Sequence, residues 1–203
     1  MCSIKIQGDI MKPQFTPLYR FWHWMMAFSV MGLLGTVALR KTFLSWRTNS
    51  ELIQTKLAEV GTDVTVETAK MIAKAIRAPM WEWHYIFALF LAISVAIRLT
   101  MVIRDRSQFP LFQLINAPKE DKLKKAVHML ICMSLMVMTI SGGVIYYHEL
   151  LGFTKEGVHW VKELHEFVMY AVLGFVALHL GGVLMHELKT KEGIVSKMIH
   201  GDD

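Results

Sequence analysis

Four stretches of this chain are apolar over enough residues to cross a lipid bilayer, and that limits the folds open to it more than any other feature. They run at about residues 20–40, 81–103, 126–148 and 163–187. A hydrocarbon core of about 30 Å needs roughly 20 apolar residues in a helix. Between Phe21 and Leu39, and again between Ala126 and His148, there is no Lys, Arg, Asp or Glu. The second stretch has Glu82 near one end and Arg98 near the other, and the heart of the fourth, Phe167 to Met185, is uncharged apart from whatever charge His179 carries. Helices of a soluble bundle keep a polar face for water, and these do not. With 54% hydrophobic and 19% charged residues in 203, the expected fold is an all-α membrane protein: one domain, a four-transmembrane-helix bundle. The first stretch outruns a signal-peptide core and is followed by Arg40, Lys41 and Thr42 rather than a small-residue cleavage site, so it reads as a retained anchor.

Four crossings put both termini on one side. That side takes thirteen of the 22 Lys and Arg residues, including Lys5, Lys12, Arg20, Arg98, Arg106, Lys124, Lys125 and Lys191. The other takes nine, so the positive-inside rule expects cytoplasmic termini in a bacterial inner membrane. The net charge of +5 is spread over membrane-flanking segments and gives no nucleic-acid surface. The roughly 38-residue connection at 41–79 is the one sizeable outer piece. Ser50 reads as a helix start with Gly61 as its stop, and a second short helix is expected from near Asp63 until Pro79 ends it. Such a piece suits a lid, a docking surface or a linker lying on the interface. Cys2 and Cys132 sit in unlike places and read as free thiols, and no C-x-x-C-H attaches haem covalently.

Histidines carry the functional information. Ionisable groups inside a bilayer are costly and tend to be functional. His165 and His179 are fourteen residues apart on the fourth span, within about 40° of four full turns and about 21 Å along the axis. Both imidazoles therefore face one way, one near each membrane surface, as two stacked cofactors in a bundle require. Antiparallel threading brings His84 of the second span to the outer level of His165. It brings His23 of the first to the inner level of His179. Two bis-histidine haems would fit this scheme. Taken singly, His23 and His84, flanked by tryptophans, also suit an interfacial aromatic belt. A zinc ion cannot be shared by histidines so far apart.

The sequence resembles the bacterial di-haem cytochrome b family that includes the b-type cytochrome subunits of nickel–iron hydrogenases and related quinone-linked anchors. Arg20-Phe-Trp-His23-Trp24, Trp81-Glu-Trp-His84, His165-Glu166, Leu178-His179 and Gly193-Ile-Val-Ser-Lys-Met198-Ile-His-Gly201 carry the resemblance. It implies two non-covalent haem b groups, axial on His23 and His179 and on His84 and His165. It also implies quinone chemistry, with a quinone-reducing or quinol-oxidising site, and a periplasmic redox partner: a c-type cytochrome, or a hydrogenase-like or other oxidoreductase subunit. The hydrogenase subunits usually carry an additional span and a different first connection.

Several alternatives stay open at this stage. His186, seven residues beyond His179, also has a depth suited to His23, although the family pattern favours His179. His128 and Lys125 can contribute to a quinone pocket or sit at the interface with snorkelling lysines. Arg98 and Arg20 are candidates for quinone or propionate contact, and Arg98 can equally snorkel to headgroups. A histidine-containing proton or ion transporter and a non-redox membrane anchor are the rival functions.

Overall fold

The computed structural model describes residues 16–105, 109–119, 121–190 and 193–201. Cys2, Lys5, Lys12, Arg106 and Lys191, named above, lie outside the described residues. Among the described residues there are seven helices, which make up most of the backbone, and no strand. Four are long and apolar enough to cross a membrane: α1 (Pro17–Lys41), α3 (Val66–Arg104), α5 (Lys122–Tyr146) and α6 (His159–Thr190). Three shorter helices join or follow them: α2 (Trp46–Glu59), α4 (Pro110–Ile115) and α7 (Ile194–Ile199).

Helix ends follow local chemistry. Thr16 caps α1 by accepting from the Tyr19 amide at 3.3 Å, and Pro17 takes the first helical position, where no amide is needed. Arg40 and Lys41 close its last turn, where cations suit the helix dipole. Thr65 caps α3 in the same way through Thr68.

The outer connection differs from the sequence expectation. Helix α2 begins after Ser45 rather than Ser50, whose hydroxyl instead donates to the Arg47 carbonyl inside the helix. Its end does fall at Gly61, in the left-handed region at φ 76° that favours glycine. Pro79 ends nothing: α3 runs through it for 39 residues, about 58 Å of helix. A core of about 30 Å holds only its second half, so the first half projects outward with α2 folded against it. Proline costs one backbone hydrogen bond there, and the packing of α2 on the helix offsets it. Ala69 and Ala73 are fully buried in that contact, where small side chains let the two backbones approach. Replacing Ala73 with leucine overpacks the contact at a cost of about 1–3 kcal/mol. We expect α2 to be cleaved roughly tenfold faster or more by limited proteolysis, with the spans still protected.

Within the membrane, α1 packs on α3 and α5 on α6, and the two pairs meet chiefly along α3 and α5. Ser29 and Ser94, both 0% exposed, bring α1 and α3 close, and Trp22 Nε1 donates to the Ser94 carbonyl at 2.9 Å. Lipid is as apolar as leucine, so small residues and interhelical hydrogen bonds drive such association. At mid-depth one buried residue from each long helix forms a plug: Val30, Leu91, Leu135 and Val172. Large apolar side chains such as Phe28, Leu89, Ile140 and Leu180 face outward, a surface unsuited to water and suited to lipid.

Candidate functional site

The plug organises the histidines. His23, His84 and His165 each precede their own helix's plug residue by seven positions, and His179 follows Val172 by seven. Seven residues are within about 20° of two turns and rise about 10 Å. Each imidazole therefore shares the inward face of its helix, two turns above or below the plug. Antiparallel threading sorts them into an outer level with His84 and His165 and an inner level with His23 and His179.

At the inner level the rings of His23 and His179 face one another with centroids 6.2 Å apart, inclined by 58°. His23 also meets Trp24 edge-on, and His179 stacks on Phe175 at 5.7 Å. His186 lies two turns beyond His179 and is exposed. His179 is the residue that opposes His23.

At the outer level His84 lies within electrostatic reach of both His165 and Arg40. Each ring is gripped by a hydroxyl from the neighbouring helix of its pair. His84 Nδ1 lies 2.8 Å from Thr36 Oγ1 of α1, and His165 Nδ1 lies 2.8 Å from Ser141 Oγ of α5. Beside His165, a Cβ on Gly142 would come within 3.3 Å of the ring. Lys41 bonds Glu166 at 2.8 Å and also the Tyr170 hydroxyl, which joins α1 to α6 at this end.

The same heptad arithmetic places two more candidates at the inner level. Arg98 follows Leu91 by seven residues, and His128 precedes Leu135 by seven. Arg98 sits 5.8 Å from the Trp22 ring and within electrostatic reach of Cys132, whose sulfur is 3.7 Å from His128 Nε2. Tyr19 adjoins Arg98 and Cys132. Lys125 is close enough to His128 to act on it electrostatically. The group thus forms a polar cluster between α1, α3 and α5. Arg20 is turned elsewhere: it donates to the Ile199 carbonyl at 3.3 Å, while Trp24 Nε1 donates to Met198 at 3.0 Å. These two bonds fasten α7, and with it the Gly193–Gly201 segment, beneath the inner level. Glu187 completes the attachment by accepting from the amides of Gly193 and Ile194.

What can such pairs hold? Among the described residues no three His, Cys, Asp or Glu side chains converge on a point, whereas a structural metal ion takes about four protein ligands. Haem supplies four nitrogens of its own and asks the protein for two. Two metal–imidazole bonds of about 2 Å, with the ring radii added, put the centroids roughly 6 Å apart. The inner pair meets that requirement. Thr36 and Ser141 escaped the sequence reading, and their one signal was a hydroxyl at histidine depth in a largely apolar span.

A family model described as prokaryotic cytochrome b561 matches residues 14–201. No curated protein and no solved structure matches the chain.

Proposed function

The chain belongs to the prokaryotic cytochrome b561 family, and from that premise we propose that it holds two non-covalent haem b groups and moves electrons between a quinone pool and a redox partner outside the membrane. Membership itself makes it a multi-pass membrane cytochrome b of electron transfer, in a family that typically binds haem b. Haem, when bound, supplies reversible one-electron exchange at iron, at a potential set by its ligands and surroundings.

The observation that carries the reading is the opposed pair His23 and His179 at 6.2 Å, with His84 and His165 about 21 Å away along α6. In this reading His23 and His179 hold the inner group, and His84 and His165 the outer one. The Val30–Leu91–Leu135–Val172 plug keeps water out of the space between them. Arg98 at the inner level and Arg40 beside His84 supply positive charge for propionates. Tyr19, Arg98 and His128 offer hydrogen bonds to a quinone carbonyl at the inner, cytoplasmic face, with Lys125 adding charge. The outer connection, with α2 packed on the first half of α3, is the surface for a periplasmic oxidoreductase subunit or c-type cytochrome. In this reading the chain sits in the bacterial inner membrane with cytoplasmic termini, the orientation that its excess of Lys and Arg on that side favours.

The test uses purified protein in lipid nanodiscs and a short-chain quinol. Quinol reduces the b-type absorption of the wild type within seconds. His128→Ala removes one neutral donor of about 0.5–1.5 kcal/mol, so reduction slows by up to roughly tenfold at unchanged haem content. Wild-type protein that carries haem yet stays oxidised in excess quinol would contradict the quinone assignment.

A further inference from the structure

The two outer histidines share an arrangement that the inner pair lacks among the described residues. Each binds a hydroxyl on a neighbouring helix, and each hydroxyl is already committed to its own backbone. Thr36 Oγ1 donates to the Leu33 carbonyl at 2.7 Å, and Ser141 Oγ donates to the Val137 carbonyl at 2.6 Å. A hydroxyl has one proton, and a carbonyl can only accept. With that proton spent on the carbonyl, each oxygen has only lone pairs to offer the imidazole 2.8 Å away. The histidine must therefore be the donor, through Nδ1–H. Both hydroxyl residues are buried, Thr36 at 5% and Ser141 at 4% exposure, so no bulk water competes for these bonds.

From this we infer that Thr36 and Ser141 are positioning residues for the outer site. They lock His84 and His165 in the Nδ1–H tautomer, leave both Nε2 lone pairs free for the haem iron, and bias the outer iron toward its oxidised state. The inference rests on His84 and His165 being ligands, as proposed above. The chemistry is that of an outer-shell acceptor: a bond accepted from the far nitrogen fixes ring orientation and raises ligand basicity. A more basic imidazole favours the more positive iron. The matched use of a hydroxyl on each side treats both faces of one site alike. Among the described residues His23 and His179 have aromatic neighbours instead, so the bias is confined to one level.

Spectroelectrochemical titration of the purified protein tests this, because it resolves the two haems by midpoint potential. Thr36→Val keeps the side-chain shape and removes the acceptor. Ser141→Ala removes the other acceptor independently. Each is expected to raise the midpoint of the outer haem alone by about 59 mV for every tenfold of lost ferric preference. The inner midpoint stays put, Thr36→Ser restores the wild-type value, and the low-temperature EPR signal of the outer ferric haem shifts with the potential. A purely structural role would broaden or empty the outer site without an ordered shift and rescue. Two haems at unmoved potentials in both variants would overturn the inference while leaving the ligand assignment intact. Wild-type protein without an outer haem would overturn the assignment itself. Should Thr36→Val empty the outer site, the Ser141→Ala potential decides.

Discussion

With His165 changed to alanine, the purified protein is expected to carry one haem instead of the proposed two, and the survivor to titrate as the inner haem does in the wild type. The expectation follows from the separation of levels. His165 and His179 share α6 but lie about 21 Å apart, with the Val172 plug between them. Sites this distant, with no shared partner, behave independently. In the proposed assignment, losing His165 would leave His84 as the outer haem's one remaining histidine, and it would leave Ser141 without the ring it now bonds. His84→Ala should give the same phenotype from the opposite helix. Combining the two should cost nothing further, because they serve one site and their effects do not add. A reduced-minus-oxidised spectrum with haem extraction measures this directly. If His165→Ala retained both haems, or removed both from a protein that stays folded, the two-level arrangement would be wrong.

The second large effect separates two histidines on one face. His179→Ala is expected to remove the inner haem, whereas His186→Ala is expected to leave both. His179 opposes His23 at 6.2 Å and stacks on Phe175. His186 lies about 10 Å further along the helix and is exposed. An iron held between α1 and α6 at the depth of His23 cannot reach both. Haem content and the inner midpoint potential of the two variants decide. Loss of the inner haem from His186→Ala with retention in His179→Ala would reverse the assignment.

Much of the fold was legible because a bilayer demands long, predominantly apolar spans, and composition alone finds them. The ends were harder. Pro79 reads as a stop when each residue is judged by its own hydrogen bonding, yet α3 continues through it because α2 packs alongside. Ser50 has the chemistry of a cap, but Ser45 precedes the helix and Ser50 back-bonds within it. The short helices α4 and α7 have too few residues for a periodic pattern. At the candidate site, the common facing of His165 and His179 was legible because fourteen residues nearly close four turns. The roles of Thr36 and Ser141 were hidden for a physical reason. A hydroxyl inside a span ordinarily serves its own helix, and only the placement of the next helix shows that its lone pairs serve a histidine as well. Arg20 is a similar case: its sequence neighbourhood suggests the inner cofactor level, while its guanidinium reaches the end of α7.

Haem stoichiometry tests the central claim most directly. Protein purified in mild detergent, quantified by amino-acid analysis and assayed by the pyridine haemochrome method after solvent extraction, should yield two extractable b-type haems per chain. One haem per chain would contradict the two-level site. None at all, from protein that is folded and was expressed with ample haem supply, would contradict the whole electron-transfer reading and leave only the membrane bundle.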